Sequence, residues 1–390
     1  MSKIETAYKR LCSFSVLRDL LDTKLIKSFF EFAACERQDE ALRKYGAFVN
    51  EIYEGGGSLS SCVRKMLFEN ENVFVRAIAK KEKINKNIEN AVANELDSLS
   101  VFAMLEPSDF FENTDSEILV PMYDTEKVDF KEEYLTRTKN IEKYGYGIFA
   151  SHCMFSVDEN GEISVIESAD KISLDGFIGY ENERQRVIDN TLAFIEGRPA
   201  ANILLYGDAG TGKSSSVKAV ANHFFDSGIR LIEIRKNQLL LLPRVMAKIS
   251  KNPLKFIIFI DDLSFNKNDD NFSMLKATLE GSASVKAKNA VIYATSNRRH
   301  IVKETFSDRE GNDIHRNDTV QETLSLSERF GLTILFAKPE KKLYLEIVHE
   351  LATRNGIEIT PELDTKAEAF ALNRGYRSAR CAEQFIDSLL

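Results

Sequence analysis

The chain has 390 residues, a hydrophobic content of 43% and a formal net charge of -8 at pH 7. The length is more than one compact domain usually needs, and the hydrophobic content excludes a wholly disordered chain. The negative charge argues against a protein that coats nucleic acid indiscriminately, although a local basic face remains compatible with it.

Cysteine usage and the absence of targeting signals indicate a cytoplasmic protein. The five cysteines are scattered, odd in number and form no CxxC pair, which favours reduced thiols over a disulfide or a metal site. The amino-terminal residues lack the apolar core of a secretory signal peptide. No run of about 18 apolar residues occurs, so no membrane span is expected.

Four regions are predicted along the chain. Residues 1–105 place apolar side chains three and four apart and form a helical amino-terminal domain. Residues 106–174 are predicted to be a connector, first acidic and interrupted by prolines, then carrying a β-hairpin centred on Asn160-Gly161. Residues 175–338 alternate helix and strand, which predicts an α/β core in which helices cover both faces of a parallel sheet. Residues 339–390 form a helical lid.

The stretch NILLYGDAGTGKSSS, which begins at Asn202, contains a motif for binding phosphate between a predicted strand and a predicted helix. Its glycines allow backbone N–H groups to surround phosphate oxygens, and the helix directs its positive end to the same place. Lys213 is expected to reach the β- and γ-phosphates, and the Ser214 hydroxyl to bind Mg²⁺. The expected nucleotide contacts in this segment are Gly207, Asp208, Ala209, Gly210, Thr211, Gly212, Lys213, Ser214 and Ser215.

The apolar run FIIFI ends on two adjacent carboxylates, Asp261 and Asp262. A second strand beside the phosphate-binding strand ends in an acidic residue in this class of fold, so Asp261 is expected to hold Mg²⁺. Asp262 then stands where a carboxylate can polarise the attacking water, and its alternative role is a cap or a hydrogen-bond acceptor in a loop.

Further polar residues follow other predicted elements. Asn297 ends the strand NAVIYATSN and could orient the attacking water, or it could cap a turn. Arg329 could enter a neighbouring subunit's site as an arginine finger, or form a surface ion pair. One arginine at the start of the last helix could reach the γ-phosphate; the three candidates are Arg374, Arg377 and Arg380. Residues 266–269 match the NKxD pattern with which GTPases recognise guanine, but in those proteins the pattern follows a strand of its own. Here it comes shortly after the acidic pair, so we interpret the match as chance and expect ATP as the nucleotide in preference to GTP.

These motifs, in this order, resemble those of an AAA+ ATPase. GDAGTGKS resembles Walker A, FIIFIDD Walker B, ATSN sensor 1, SERFG the arginine-finger box and RSARCAEQFID sensor 2. The segment GFIGYENERQ is similar to the one that touches adenine, which implies that Ile178, Gly179 and Tyr180 do so. The sensor 2 resemblance implies nucleotide contact by Arg377 and a catalytic part for Arg380.

The sequence is similar above all to one bacterial AAA+ family known as a domain of unknown function, most clearly from residue 175 to 390. Its core also resembles the transposase-helper and helicase-loader ATPases. Asp262 departs from the glutamate that AAA+ proteins commonly carry after the Walker B aspartate, which puts the rate of hydrolysis in doubt.

The resemblance implies an ATPase that uses ATP and Mg²⁺, assembles into a homo-oligomer and remodels a client protein bound through its amino-terminal helices. One alternative is a scaffold or switch that binds ATP with little turnover. Another is a loader that binds DNA, for which the basic residues 298–300 and the segment 139–144 offer some charge but no recognisable motif.

Overall fold

The computed structural model describes residues 2–35, 37–111, 119–168, 172–264, 270–279, 287–297 and 328–390. The chain divides into two compact units, Met1–Ser151 and His152–Leu390, called here the helical unit and the sheet unit. None of the helices in the described ranges has the length and hydropathy needed to cross a membrane.

The described part of the helical unit is built from α-helices, most of them joined by short connections. Apolar spacing explains them: α2 buries Leu25, Ile26, Phe29 and Phe32, which lie on one helical face. The helices are α1 (Lys3–Leu11), α2 (Lys24–Ala33), α3 (Gln38–Glu54), α4 (Leu59–Glu69), α5 (Val73–Ala79), α6 (Lys86–Ala103), α7 (Phe130–Lys139) and α8 (Ile141–Tyr144).

Aromatic packing extends the helical unit beyond residue 105. Phe110, Tyr123 and Phe130 are buried in the same core as Phe29 and Phe48 from the earlier helices. The ring of Phe110 stacks on that of Phe48, with centroids 5.4 Å apart. The boundary between the units therefore falls at Ser151, whereas the sequence places a separate connector at residues 106–174, because the short apolar elements there fill the helical core.

The sheet unit contains a seven-stranded sheet in the order β2-β1-β4-β5-β6-β3-β7. Neighbouring strands are parallel except for the antiparallel pair β1 and β2. This confirms the predicted α/β class with a mainly parallel sheet. The strands are β1 (Met154–Val157), β2 (Ile163–Val165), β3 (Ile203–Gly207), β4 (Ile229–Glu233), β5 (Lys255–Ile260), β6 (Ala290–Ser296) and β7 (Leu332–Phe336).

The predicted hairpin at Asn160-Gly161 is confirmed as β1 and β2, and it is part of the sheet. Strand β1 pairs in parallel with β4 through Phe155 and Ile232. Glu162 fixes the hairpin to the following core, since its carboxylate accepts a hydrogen bond of 3.0 Å from Arg244. The hairpin therefore extends the sheet by two strands instead of lying in a connector.

The sheet is buried on both faces, as its apolar strands require. Helices α9 (Glu181–Ile195) and α10 (Lys213–His223) bury Val187 and Val217 against one face. Phe256 and Ile258, whose side chains lie on the opposite face, are also fully buried. Helix α11 (Leu242–Ile249) buries the apolar side chains of Leu242, Val245, Met246 and Ile249. A further helix, α12 (Asp270–Leu279), precedes β6.

Three carboxy-terminal helices form the lid, as predicted. They are α13 (Lys341–Arg354), α14 (Pro361–Arg374) and α15 (Ala379–Asp387), packed around their own apolar cluster. The Ser378 side chain caps α15 by accepting a hydrogen bond from the backbone N–H of Cys381. The backbone N–H of Arg380 donates to the Gly210 carbonyl at 3.4 Å, so the lid meets the loop between β3 and α10.

Candidate functional site

The phosphate loop, residues 207–214, connects β3 to the start of α10 at the carboxyl edge of the sheet. Gly207 has a φ of +138°, and a Cβ at this position would lie 2.0 Å from the Phe336 carbonyl oxygen in the neighbouring β7. Gly212 caps α10 with a left-handed φ of +86°. Glycine is the residue that suits the close approach to β7 at position 207 and the left-handed backbone at position 212. Because the loop can adopt this conformation, the first N–H groups of α10 remain available to a ligand.

Lys213 is buried at the first position of α10, and its ammonium lies inside the loop. Its Nζ donates to the carbonyl oxygens of Gly207 at 2.9 Å and Asp208 at 2.6 Å, and more weakly to Asn297 Oδ1 at 3.4 Å. Burial lowers the pKa of Lys213, while nearby aspartates oppose that shift. A poorly solvated ammonium of this kind favours an anionic ligand.

The two carboxylates that end β5 contact different partners. Asp261 Oδ1 accepts a hydrogen bond of 2.6 Å from the Ser214 hydroxyl, and a second from the Thr295 hydroxyl. Asp262 Oδ1 accepts from Asn297 Nδ2 at 2.8 Å. Both aspartates are exposed, so neither bears the cost of a buried charge. The pair therefore presents one carboxylate to the phosphate loop and the other to the end of β6.

A cavity of about 340 Å³ lies in front of these groups and is called here the acidic cavity, after Asp261 and Asp262, although Lys213 and Arg380 also line it. The close approach of the Ser214 hydroxyl and the Asp261 carboxylate places two hard oxygen donors together, which are the ligands that Mg²⁺ prefers. These two residues therefore fit the metal predicted for them. The lining residues are Ala209, Gly210, Thr211, Gly212, Lys213, Ser214, Ser215, Asp261, Asp262, Thr295, Asn297 and Arg380.

A second cavity, the lid cavity, lies on the other side of the phosphate loop and measures about 160 Å³. It shares loop residues with the acidic cavity and is closed by Ile347 and Leu351 of α13. Predicted residues Ile178 and Tyr180 line it as well. Its walls combine apolar side chains with the charged side chains of Arg184, Arg380 and Glu383.

The segment predicted to touch adenine is held by contacts of its own. The Tyr180 hydroxyl donates to the Ala337 carbonyl at 2.6 Å, and its ring stacks on Phe336. Burial raises the pKa of Tyr180 to about 12. Gly179 has a left-handed φ of +71°, and a Cβ there would lie 2.5 Å from Leu343. Tyr180 and Gly179 thus fix the position of the segment against β7 and the lid.

The three candidate lid arginines have different surroundings. Arg380 lines both the acidic cavity and the lid cavity. Arg377 donates twice to Glu368, at 3.0 and 2.9 Å, and lines a further groove together with Asp208 and Gly210 of the phosphate loop. Arg374 lies over the Phe370 ring, 5.2 Å from its centroid. Both Arg377 and Arg380 thus lie near the phosphate loop, but Arg377 pairs with a carboxylate of the lid, whereas Arg380 lines the cavity that holds Lys213.

Arg329 lies directly before β7, the edge strand of the sheet. It is half-buried and does not line the acidic cavity or the lid cavity. Two segments discussed from the sequence, the NKxD-like residues 266–269 and the basic residues 298–300, lie outside the described residues.

Several residues at the site were not predicted from the sequence. In the lid cavity these are Phe177, Ile347, Leu351, Glu383 and Arg184, whose guanidinium lies 4.9 Å from the centroid of the Phe177 ring. In the acidic cavity it is Thr295. Thr295 could have been predicted from the sequence, because alternate residues of a strand share a face and Thr295 therefore lies on the same side as Asn297.

The chain was compared with solved structures, with curated proteins and with models of protein families. Solved structures to which the chain shows similarity include the Thermotoga maritima RuvB Holliday junction branch migration motor and mutants of it. For the motor itself the identity is 16%, the TM-score is 0.33, and the match covers 56% of this chain and 72% of that one. For one mutant the identity is 15% with the same TM-score and coverage.

No curated protein matches the sequence. A family model described as "Protein of unknown function (DUF815)" matches residues 150–390, which comprise the whole sheet unit. Because this match covers more than half of the chain, the protein belongs to the DUF815 family.

Proposed function

We propose that this protein binds ATP with Mg²⁺ and hydrolyses it, and that hydrolysis changes its conformation to remodel a client. The observation that carries the proposal is the convergence of Lys213, Asp261, Asp262 and Asn297 on one cavity at the phosphate loop. Phosphoryl transfer needs positioning and charge stabilisation more than covalent chemistry, and these residues supply both.

Each residue at the acidic cavity has a distinct part in the proposal. Lys213 stabilises charge on the β- and γ-phosphates, and Asn297 orients the attacking water beside Asp262, which accepts its proton. Ser214 and Asp261 would hold Mg²⁺, which neutralises charge on the phosphate oxygens when bound. The base would lie in the lid cavity, where Ile178 and Tyr180 are joined by Ile347 and Leu351.

Steady-state phosphate release by the wild-type protein tests the proposal directly. We expect turnover that requires Mg²⁺, is supported by ATP more than by GTP, and is accompanied by equilibrium binding of a fluorescent ATP analogue. Failure to bind the analogue at any Mg²⁺ concentration would overturn the proposal. Binding without turnover would instead favour the alternative below.

The alternative is a nucleotide-dependent switch or scaffold with little turnover. The contact that favours it is the hydrogen bond from Asn297 Nδ2 to Asp262 Oδ1, because it occupies an oxygen that a water-activating base would use. Asp262 is also shorter than the glutamate common among AAA+ proteins. A switch would change its assembly on binding ATP and release phosphate only slowly.

Arg380 and Arg377 form a matched pair for testing the lid. Arg380→Ala should weaken ATP binding or slow turnover about 10–150-fold, because a hydrogen bond to a charged group contributes about 1.5–3 kcal/mol. Arg377→Ala should leave both unchanged, since its guanidinium pairs with Glu368. Fluorescent-analogue binding and phosphate release measure both variants. The reverse order of effects would assign the nucleotide contact to Arg377.

Arg329 is proposed to act in a neighbouring copy, because it precedes the edge strand β7 and lines neither the acidic cavity nor the lid cavity among the described residues. Arg329→Ala should lower turnover per subunit about 10³–10⁵-fold at high protein concentration, the contribution of an arginine finger. Affinity for ATP should stay unchanged. Turnover and light scattering, measured across protein concentrations, check this prediction. Equal turnover for the variant and the wild type would contradict the finger role and favour a surface ion pair for Arg329.

The helical unit is the proposed site for a client protein, because it is a compact unit separate from the nucleotide cavities. The similarity to helper and loader ATPases suggests protein–DNA assemblies as one class of client. Retention on DNA at low salt with ATP present would support that class, and no retention would remove it.

A further inference from the structure

The feature that carries the inference is a single buried hydroxyl between the two aspartates. Thr295, at the end of β6, is 2% exposed. Its Oγ1 donates to Asp261 Oδ1 and accepts a hydrogen bond of 2.9 Å from the backbone N–H of Asp262. A hydroxyl has one proton to donate and lone pairs to accept with, so this one arrangement satisfies both neighbours.

The backbone after β5 is tied to β6 at the same place. The N–H of Leu263 donates to the Thr295 carbonyl at 2.7 Å, so Thr295 contacts three successive residues of that turn. Asp262 has a φ of +50°, in the left-handed region that few residues with side chains adopt. The Asp262 N–H is shared between the Thr295 hydroxyl at 2.9 Å and Asp261 Oδ1 at 3.1 Å, so the Thr295 hydroxyl is the nearer of two acceptors that stabilise this unfavourable backbone conformation.

The left-handed turn separates the directions of two neighbouring carboxylates. Asp261 is directed to Ser214, with the oxygens 2.6 Å apart, while Asp262 is directed to Asn297 at 2.8 Å. Aspartate is among the residues that tolerate this conformation best, which gives a physical reason for a shorter carboxylate at position 262.

We propose that Thr295 is a positioning residue that gives the two aspartates their separate roles. Its donated hydrogen bond orients Asp261 toward the metal position beside Ser214. Its accepted hydrogen bond holds the Asp262 backbone so that the Asp262 side chain lies beside Asn297. This inference rests on the proposed function, since it assumes that Asp261 holds a divalent cation with ATP.

The test compares Thr295→Val, which keeps the shape and removes the hydroxyl, with Thr295→Ser, which keeps the hydroxyl. The first readout is Mn²⁺ affinity, measured by electron paramagnetic resonance with a non-hydrolysable ATP analogue bound. Removing a group that orients a metal ligand typically costs about 10–100-fold in affinity or activity, and we expect that loss for valine. Serine should restore affinity to near the wild-type value.

Turnover and folding are measured on the same variants. Phosphate release should fall in parallel for valine and recover for serine, while analogue affinity without a divalent cation stays unchanged. Thermal denaturation identifies variants that do not fold; Thr295→Ala replaces the valine variant if valine prevents folding. Equal Mn²⁺ affinity in wild type and the hydroxyl-free variant, or equal loss for serine and the hydroxyl-free variant, overturns the positioning role.

The two proposals fail in distinguishable ways. If wild-type protein binds no ATP analogue and no Mn²⁺ with it, the proposed function is wrong. If wild-type protein binds both and the hydroxyl-free variant behaves identically, the proposed function stands and the role of Thr295 is wrong.

Discussion

Asp262→Asn is expected to lower the turnover of ATP about 10²–10⁴-fold, the usual contribution of a general base. Asparagine keeps the size of the side chain and tolerates the left-handed φ of +50°. Affinity for ATP should therefore stay close to that of the wild type. Steady-state phosphate release at saturating ATP measures the loss, and equilibrium binding of a fluorescent analogue measures the affinity.

Asp226→Asn is the matched control for the loss of one negative charge. Asp226 is exposed and precedes β4, at the opposite edge of the parallel sheet from Asp262. Its substitution should leave turnover unchanged. A turnover for Asp262→Asn within about threefold of wild type, well below the range for a general base, would leave Asp262 as a hydrogen-bond acceptor of the loop.

Replacing Asp262 by glutamate is expected to lower the turnover of ATP. A longer side chain is disfavoured in the left-handed conformation, at a cost of about 1–2 kcal/mol, and it would not fit the 2.8 Å contact with Asn297. Asp262→Glu should therefore fall below the wild-type turnover. A faster Asp262→Glu variant would mean that the turn at residue 262 adapts readily, which would also weaken the case for Thr295.

Lys213→Ala is expected to lower kcat/KM for ATP about 10²–10³-fold, the effect of removing one preorganised donor from a developing negative charge. Much of the loss should appear as weaker ATP binding, because the ammonium is buried within the loop. The variant also leaves the Gly207 and Asp208 carbonyls without the donor that they share. Calorimetric titration with ATP and phosphate release measure the two contributions.

Lys218→Ala supplies the control on the same helix. Lys218 also carries a positive charge, but its nearest carboxylate is Glu233 at 3.7 Å, and it does not line either cavity. Its removal should change neither affinity nor turnover. If Lys213→Ala binds ATP as tightly as Lys218→Ala does, the loop does not bind phosphate in the proposed way.

Local patterns in the sequence were sufficient to predict the elements and the centre of the site. The phosphate loop and the acidic pair are short motifs in which the backbone conformation depends on adjacent residues, such as Gly207 and Gly212. The helices and strands follow from apolar spacing along each segment. For the same reason the hairpin at Asn160-Gly161 was predicted correctly, although its pairing with β4 was not.

The lid cavity and the unit boundary could not be predicted in the same way. The lid cavity joins Phe177 to Leu351, which are far apart in the chain, and no local pattern specifies that contact. The unit boundary at Ser151 depends on Phe110 and Phe130 packing into the helical core, which their sequence neighbourhood does not reveal.

The sequence by itself determined the α/β class, the phosphate loop and the presence of Asp261 and Asp262 beside it. Only the tertiary structure decided that Arg380 lies at the loop while Arg377 pairs with Glu368, and that the two aspartates point apart. The physical reason is that side-chain direction depends on partners from other elements. The Thr295 hydroxyl on β6 is such a partner, because it bonds to both aspartates across the gap between two strands.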